Sequence, residues 1–325
     1  MLRGMPSIPR PARQPTDRPR IVVVGDLMLD VVLAPGRPLE RGTDVPGRVM
    51  LRQGGSAANT ARWLGRLGAR TQLVTAVGRD AVGRALIAAV RRDRVIVRAV
   101  RVPGRPSGRI GVSVASGGER SFVADRGAAD GLTPEDIRAA WFAGSQAVHL
   151  PAYSLIGEPL GSAGRRAAGS AHEAGAIVSV DLASSGPLLA DGRVAALALI
   201  SGVAPDVLFA TESESSALLG GLPVERLLDL APLAIVKRGA KGASVLVRAD
   251  GDGGRPLRFD VATKPMAPAD TTGAGDAFDA GFLVTWLAAA PADRTRPTTL
   301  RRAVLAGHRA AARQLSRSPE ELQLG

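Results

Sequence analysis

The chain contains no cysteine and few aromatic residues, and each shortage limits what it can do. Without cysteine, disulfide bonds, thiolate catalysis and cysteine-ligated metals are excluded. Aromatic residues make up only 3% of the sequence, so the hydrophobic core must be built from Ala, Val and Leu. The three histidines, His149, His172 and His308, lack the spacing of metal ligands. The simplest interpretation is a cytoplasmic protein.

Long apolar stretches are also missing. The longest, around residues 277–290, is interrupted by Asp279 and is too short to span a bilayer, so no membrane segment is predicted. Residues 1–20 are rich in Pro and Arg, lack the apolar core of a signal peptide, and are predicted to form a disordered extension. Residues 21–325 are expected to hold the folded part, because 45% hydrophobic residues suffice for one large α/β domain or two modest ones.

Positive charge is abundant, with a formal net charge of +12. Such an excess can indicate a nucleic-acid partner. The arginines, however, are spread through predicted helices and loops and are not interleaved with aromatic residues on one element. We therefore interpret the charge as a solvated arginine-rich surface and predict no specific nucleic-acid partner. A non-catalytic nucleic-acid binder is the alternative, which steeply salt-dependent binding to DNA would favour.

The most informative stretch lies late in the chain, at residues 270–282. Gly273, Gly275 and the alanine between them leave the backbone almost bare, and the apolar run after them is typical of a buried helix. The amides that open such a helix lack intrahelical partners and lie at the positive end of its dipole, so they form an anion site. Asp276 lies in the first turn, where it either caps the helix or acts as a base beside a bound phosphate.

This stretch resembles, almost residue for residue, the signature of the ribokinase-like (PfkB) sugar-kinase family. The resemblance implies that Asp276 takes the proton from the substrate hydroxyl. It also implies that Gly273, Ala274 and Gly275 form an anion hole for the transferring phosphoryl group, with ATP and Mg²⁺ as cofactors.

The first part of the folded chain contains candidate substrate-binding residues. The β-branched run at residues 21–24 predicts a buried parallel strand, and an acid beyond its carboxyl end, Asp30, lies where open α/β sheets bind ligands. Gly54 and Gly55 permit close approach of a ligand, and Asn59, one helical turn later, can donate and accept hydrogen bonds. These positions also match the family pattern, which implies that Asp30, Gly54, Gly55 and Asn59 bind the sugar.

Short strands predicted within residues 31–50 and 95–126 are expected to form a small β-sheet that covers the sugar site as a lid. Family members carry such a lid and often pair through it, so a homodimer through the lid sheet is a hypothesis. Arg126 follows the lid strands. Directed inward, it is expected to grip a carboxylate or phosphate of the substrate; directed outward, it is one surface arginine among many.

From Leu132 onward, predicted strands and helices alternate regularly, beginning with a helix that starts at residues 133–135. Repeated βα units of this kind predict a mostly parallel, doubly wound α/β sheet flanked by helices. Lys237, Gly239 and Gly242 follow one of these strands, and their segment resembles the family's loop over the phosphates and ribose of ATP.

Candidate ion-binding residues are also implied by the resemblance. Glu214 matches the acid that organises Mg²⁺ and phosphate through water, while Thr211 stands where the family usually has Asn and is taken as a nucleotide contact. Asp270 and Thr272 match positions that help to bind a monovalent cation in many relatives. Activation by K⁺ is therefore a hypothesis, which equal activity in sodium and potassium buffers would remove.

The predicted function is ATP-dependent phosphorylation of a hydroxyl on a sugar or sugar-like molecule. A nucleoside or a 2-keto-3-deoxy sugar acid are alternative substrates, and Pro151-Ala152 stand where ribokinases have a sugar-binding acid, so ribose is not assigned. A dinucleotide-dependent oxidoreductase is disfavoured because no Gly-x-Gly-x-x-Gly follows the first strand. A Walker A sequence is absent as well, which disfavours a P-loop kinase.

Overall fold

A nine-stranded sheet with helices on both faces forms the centre of the molecule. The structure is a computed structural model that describes residues 18–114, 120–249, 254–266, 270–318 and 320–324. Its strands are β1 (Arg20–Val24), β2 (Met28–Pro35), β3 (Gly47–Gly54), β4 (Arg70–Gly78), β5 (Ile96–Val102), β6 (Arg109–Val114), β7 (Arg120–Asp125), β8 (Ala147–Pro151), β9 (Ile177–Asp181), β10 (Val207–Thr211), β11 (Leu233–Lys237), β12 (Ala243–Val247) and β13 (Leu257–Val261). Its helices are α1 (Ser56–Arg66), α2 (Ala81–Arg91), α3 (Leu160–Glu173), α4 (Ser185–Leu188), α5 (Arg193–Ser201), α6 (Glu212–Leu219), α7 (Ala274–Leu287) and α8 (Pro297–Leu315). Most of the predicted extension, residues 1–17, lies outside the described residues.

The central sheet has the strand order β13-β12-β11-β10-β9-β8-β1-β4-β5. Strand β11 pairs with β12, and β12 with β13, in antiparallel fashion, whereas the pairs from β11 to β5 are parallel. Residues 21–24 of β1 are fully buried, as expected for a parallel strand covered on both faces. The predicted mostly parallel, doubly wound sheet is confirmed.

Helices pack on both faces of this sheet and divide the hydrophobic core in two. Helices α1, α2, α7 and α8 cover one face, and α3, α5 and α6 cover the other. Helices α7 and α8 approach closely because each places a glycine at their contact: a Cβ atom on Gly281 would lie 2.7 Å from the Ala306 carbonyl oxygen, and one on Gly307 would lie 2.9 Å from Phe278.

The order in which strands are added to the sheet reverses at the neighbouring parallel strands β1 and β8. From β1 the chain passes through α1 to β4 and β5, whereas from β8 it passes through α3 to β9 and then to β10 and β11. The loops after β1 and β8 therefore open a crevice at the carboxyl ends of the strands, the place where open α/β sheets bind ligands.

A separate four-stranded sheet, with the order β3-β2-β6-β7, lies off the central sheet and corresponds to the expected lid. The prediction was wrong for residues 96–102, because β5 pairs in parallel with β4 as the edge of the central sheet. Only Val97 of this strand is buried, so its alternating pattern is that of an edge strand and cannot be told from a lid strand by sequence.

The prediction that a helix starts at residues 133–135 is wrong. A single 3₁₀ turn, Pro134–Asp136, forms instead. The Asp136 carboxylate accepts a hydrogen bond from the Thr133 amide at 3.0 Å, and Ile137 is already extended. Within the described ranges, no helix is long and apolar enough to cross a membrane.

Candidate active site

Helix α7 begins directly after Gly273, whose backbone is left-handed (φ 73°), and Asp276 lies in its first turn. Its carboxylate accepts hydrogen bonds from two residues of α1: Ser56 Oγ at 2.7 Å and Asn59 Nδ2 at 2.9 Å. Burial raises the pKa of the Asp276 carboxyl to about 6, although both hydrogen bonds oppose the rise. The acid is therefore bonded to a neighbouring helix rather than to its own amides, and its basicity suits proton abstraction near neutral pH.

The amides that open α7 are only partly used by the protein. The Ala274 amide donates to the Thr271 carbonyl oxygen at 3.2 Å. Among the described residues, no backbone carbonyl accepts from the Gly275 or Asp276 amide. Within the described part of the chain, the Gly275 and Asp276 amides are thus open donors at the predicted anion hole, while the Ala274 amide is engaged in a turn.

A buried lysine lies directly beneath these amides. A Cβ atom on Gly275 would come within 3.3 Å of Lys237 Nζ. That nitrogen donates to Asp181 Oδ1 at 3.0 Å and lies 3.2 and 3.3 Å from the two carboxylate oxygens of Asp279. Burial alone would lower the pKa of Lys237, but attraction by Asp181 and Asp279 outweighs it and raises the pKa above its usual value. Lys237 therefore stays cationic and adds positive charge behind the predicted anion hole.

Asp279 lies one turn after Asp276 on α7, and it shares Lys237 with Asp181 of β9. Burial, followed by repulsion from Asp181, holds the pKa of Asp279 well above its usual range. A fully buried acid three residues after Asp276 lies on the same side of the helix. Lys237 is thus held between two acids, which fixes its ammonium in one place.

All four predicted nucleotide contacts line one cavity of about 590 Å³: Thr211, Lys237, Gly239 and Gly242. Ala274 and Gly275 lie in its wall, so the cavity opens onto the start of α7. Part of the wall is apolar, formed by Met266, Phe278, Ala311, Ala312 and Leu315, which suits the flat face of a purine.

His308 also lines this cavity, and the sequence had assigned it no role. Its ring lies 5.3 Å from the Phe278 ring, centroid to centroid. Both ring nitrogens are buried and have no hydrogen-bond partner among the described residues. Burial lowers the pKa of His308, so the neutral ring offers one donor and one acceptor to a bound base.

Thr211 and Glu214 form a capping box at the start of α6. The Glu214 amide donates to Thr211 Oγ1 at 3.2 Å, and Glu214 Oε2 accepts from the Thr211 amide at 2.7 Å. Burial and the nearby Asp181 raise the pKa of Glu214, while Lys237 opposes them. Threonine is a good N-cap, which explains how it replaces the asparagine of the family pattern.

The carboxylates of Glu214 and Asp181, which lie near Lys237 at the edge of this cavity, fit Mg²⁺ held through water. Glu214 and Asp181 are close enough to influence each other's protonation. Carboxylate oxygens are suitable partners, because Mg²⁺ retains several waters and is usually bound by one or two carboxylates together with substrate phosphates. In the described ranges, no three His, Asp or Glu side chains form a metal-binding cluster.

The predicted substrate residues gather at the crevice between β1 and α1. A Cβ atom on Gly54 would lie 1.9 Å from Asp30 Oδ1, so glycine is required for Asp30 to adopt its position. Burial and the neighbouring Asp26 raise the pKa of Asp30 to about 7, although Arg52 opposes the rise. Asp30 Oδ1 has no hydrogen-bond partner among the described residues, which leaves an acceptor for a substrate hydroxyl. Asn59 faces Asp276, so its predicted sugar contact remains a prediction.

Arg126 points inward, which settles the orientation that the sequence left open. One guanidinium nitrogen lies 3.6 Å from Asp26 Oδ2, Nε donates to Asp130, and the guanidinium lies 5.5 Å from the centre of the Tyr153 ring. Nη2 is buried and has no partner within the described chain. Arg126 is therefore already balanced by two acids, and its Nη2 amino group remains available to a ligand.

Asp270 and Thr272 lie in the turn before α7. The Asp270 carboxylate accepts from Arg52 Nη1 at 3.0 Å and from the Thr272 amide at 2.8 Å. The Thr272 carbonyl oxygen accepts from Gln314 Nε2 at 2.9 Å. Two side chains from distant segments therefore hold this turn in place.

Sequence reasoning missed several residues that the fold brings to the site. Ser56 follows the Gly-Gly pair directly, and its hydroxyl at a helix start was a usable signal. Asp279 was noted only as an interruption of an apolar run, although an acid inside such a run must be paired. Tyr153 lies just beyond the end of β8, two residues after Pro151. Arg52 carried no signal, because it is one arginine among many.

Comparison with known proteins identifies the class of the protein. The model for the pfkB family carbohydrate kinases matches residues 18–319. A fructokinase from Klebsiella pneumoniae is 30% identical over 274 residues, which cover 81% of this chain and 83% of the fructokinase. The protein is thus a carbohydrate kinase, an enzyme that phosphorylates a sugar hydroxyl. Within this class, the chain belongs to the pfkB family.

Solved structures confirm the ribokinase-like fold. Adenosine kinase from Sinorhizobium meliloti has a TM-score of 0.75 at 25% identity, covering 91% of this chain and 93% of its own. Fructokinase from Vibrio cholerae O395, bound to fructose, ADP and calcium, has a TM-score of 0.76 at 24% identity, covering 93% and 94%. A double mutant of that fructokinase is solved with fructose, ADP and potassium, with a TM-score of 0.75, 24% identity and the same coverage of 93% and 94%.

Proposed function

We propose that this sugar kinase uses ATP, with Asp276 as the general base and the amides at the start of α7 as the anion hole. The observation that carries the proposal is the juxtaposition at one helix end. The Gly275 amide has no backbone acceptor among the described residues and lies in the wall of the nucleotide cavity, while the next residue, Asp276, faces the substrate crevice. The terminal phosphate of ATP and the acceptor hydroxyl can therefore meet at the start of α7.

The reaction follows from these positions. The acceptor hydroxyl attacks the terminal phosphorus of ATP, a new oxygen–phosphorus bond forms, and the bond to ADP breaks. The hydroxyl proton moves to Asp276, which Ser56 and Asn59 hold in place. The Gly275 amide and the Lys237 ammonium stabilise the charge that spreads over the phosphoryl oxygens. Glu214 and Asp181 would hold Mg²⁺ through water, and the ion would neutralise phosphate charge.

We propose a neutral sugar as the acceptor, with fructose as the first candidate. Arg126 faces Asp26 and Asp130, and Asp30 and Asp276 add two further carboxyl groups to the crevice. This excess of acids repels a carboxylate, whereas sugar hydroxyls can donate to the acids and accept from Arg126. The fructokinase relative supports this choice.

A 2-keto-3-deoxy sugar acid is the second candidate, favoured by one observation. Arg126 Nη2 is buried and has no partner among the described residues, and a carboxylate is the strongest acceptor for such a donor. The acids around Arg126 oppose this substrate. A direct comparison of fructose, the sugar acid and adenosine as phosphoryl acceptors, with Mg²⁺ and ATP, therefore distinguishes the candidates: we expect the highest kcat/KM for the neutral sugar.

Replacement of the base tests the mechanism. We expect Asp276→Asn to lower kcat by roughly 10²–10⁴, because general-base catalysis is lost. Binding of Mg·ADP, measured by calorimetry, and the thermal unfolding midpoint are expected to change little. Asp229→Asn, an exposed acid paired with Arg226, is the matched control and should retain full activity. Near-normal turnover of Asp276→Asn would refute the assignment of the base.

We also propose that two copies pair through the lid sheet. The outer lid face, defined as Leu33, Val49 and Val123, leaves 42%, 64% and 77% of these apolar residues exposed. Exposed apolar side chains on one face of a sheet favour association. A cytoplasmic location stays a prediction from the composition.

A further inference from the structure

An ion pair joins the lid to the turn that precedes the anion hole. Arg52 lies on β3, opposite Asp30 on β2, and its Nη1 donates to Asp270 Oδ2 at 3.0 Å. The two side chains are only 18% and 32% exposed. Asp270 begins the segment that continues through Thr272 to Gly273, so the lid arginine is bonded to the root of the anion hole.

The oxygens of this turn are already engaged by donors. Asp270 Oδ1 accepts from the Thr272 amide at 2.8 Å, and Oδ2 accepts from Arg52. The Thr272 carbonyl oxygen accepts from the Gln314 amide at 2.9 Å. Gln314 is itself fixed, because its Oε1 accepts from Trp63 Nε1 at 3.0 Å. These contacts come from three separate elements, β3, α1 and α8, and converge on one turn.

A monovalent cation does not fit this arrangement. Such an ion needs several oxygen ligands, and the expected ones were Asp270 and Thr272. An ion on the Asp270 carboxylate would lie within a few ångströms of the Arg52 guanidinium and would be repelled by it. At Thr272 it would have to displace or share the Gln314 hydrogen bond. The residues of this chain therefore disagree with the K⁺ hypothesis that the resemblance raised.

We propose that the Arg52 guanidinium takes the place of an exchangeable monovalent cation in this protein. It is tethered to the lid, so the turn before Gly273 is ordered without any added ion. This proposal rests on the proposed role of α7 as the anion hole. It makes Arg52 a positioning residue, because it acts on the phosphate site through Asp270 and touches neither reactant itself.

The same contact links the lid to the nucleotide side of the site. Arg52 and Asp30 are paired residues in the β2–β3 register. Asp30 lies in the substrate crevice, and Arg52 reaches the anion-hole turn. The two residues therefore connect the substrate crevice to the anion-hole turn through one strand pair.

The first test compares the wild-type protein in potassium, sodium and tetramethylammonium chloride at equal ionic strength. Two readouts are independent of turnover: the thermal unfolding midpoint and the affinity for Mg·ADP. We expect both to be the same in the three salts. A rise in the midpoint or in affinity that is specific to K⁺ would overturn the proposal, since a ligand that binds the folded state stabilises it.

The second test removes the tethered charge. In tetramethylammonium, Arg52→Gln is expected to weaken Mg·ADP binding by roughly 5-fold or more, a usual size for coupling between sites. Potassium is expected to restore much of this loss, because the variant removes the Arg52 guanidinium from the Asp270 carboxylate. Arg52→Lys keeps the charge and should remain indifferent to K⁺. Arg48→Gln, an exposed arginine on the same strand, should behave as the wild type.

The outcomes separate this proposal from the proposed function. An Arg52→Gln variant that folds but shows no gain of K⁺ response would contradict the replacement of a cation by Arg52. If that variant fails to fold, the wild type and Arg52→Lys decide, and a K⁺ response in either would contradict the proposal. Absence of turnover on every acceptor would refute the kinase mechanism while the salt dependence of the unfolding midpoint still tests Arg52.

Discussion

Burial raises the pKa values of two carboxyl groups in the crevice to different extents. Asp276 is buried yet receives two hydrogen bonds from α1, and its pKa is about 6. Asp30 is buried beside Asp26, and its pKa reaches about 7. Hydrogen bonds favour the charged form, whereas burial and a neighbouring acid disfavour it. The acid proposed as the base is therefore the one that ionises at lower pH.

The raised pKa of Asp30 predicts a pH-dependent gain in stability for Asp30→Asn. The folded-state pKa is about 7 and the unfolded value is 3.8, so protonation of Asp30 stabilises the fold at low pH. That stabilisation is complete below the unfolded value and is lost as the pH rises through about 7. At pH 8 we expect the free energy of unfolding of Asp30→Asn to exceed that of the wild type by roughly 1 to 4 kcal/mol.

Denaturant titrations at pH 4 and pH 8 measure this effect. The difference between variant and wild type should shrink at pH 4, where Asp30 is protonated in the folded protein. Asp44→Asn, an exposed acid in the loop between β2 and β3, is the matched control and should show no such trend. A stability difference that does not change with pH would show that Asp30 is not held in the environment described here. Loss of sugar phosphorylation in the stabilised variant would illustrate a trade between stability and function.

At the scale of single elements, the proposed mechanism depends on the start of α7. Gly275 combines an amide without a backbone acceptor among the described residues with close approach to Lys237. We expect Gly275→Ala to leave the unfolding midpoint unchanged or slightly raised, because alanine favours a helix over glycine by about 0.5–1 kcal/mol. Turnover should fall roughly 10-fold or more, because the methyl group crowds the Lys237 ammonium and the phosphoryl site.

A matched substitution separates helix propensity from the anion hole. A Cβ atom on Gly169, within α3, would meet nothing within 4 Å. Gly169→Ala should therefore share the small gain in stability and keep full activity. Steady-state kinetics and thermal melts on both variants measure the difference. Equal activity of the two variants would argue against a phosphoryl site at Gly275.

Local backbone chemistry made parts of this site predictable from sequence. The glycine-rich segment before α7 and the Gly54-Gly55 pair before α1 can be recognised in the sequence as binding segments, because few residue types permit close approach of a ligand to the backbone. Contacts between distant segments did not. Lys237 and Asp279 are 42 residues apart in the chain, and Arg52 and Asp270 are 218 apart. No local pattern states that these side chains meet, so the buried ion pairs appear only once the fold is known.

Sequence-based prediction also failed for strands whose residues are mostly exposed. Strand β5 was assigned to the lid because an edge strand and a lid strand both alternate between exposed and buried residues. Strand β13 was not predicted, since its burial pattern leaves only Val261 buried. By contrast, the strand predicted at residues 21–24 was located almost to the residue, because a continuous β-branched run has few other interpretations.

For the whole molecule, the outer lid face predicts the state of assembly. We expect the wild type to elute as a dimer and Val123→Glu to shift it toward the monomer, because a buried charge at an apolar interface is unfavourable. Light scattering during size-exclusion chromatography measures the mass. Val194→Glu is the control: this valine is 82% exposed on α5, away from the lid. A monomeric wild type would contradict pairing through the lid.

The lysine shared by Asp181 and Asp279 has a consequence for how this chain can change over generations. One ammonium balances two buried acids, and loss of a partner from a buried charge cluster is strongly destabilising. A related sequence in which Lys237 is replaced must also replace Asp181 or Asp279, because otherwise the fold is destabilised. The three positions should therefore be inherited as a set, and related chains should hold either the full trio or a neutral replacement of it.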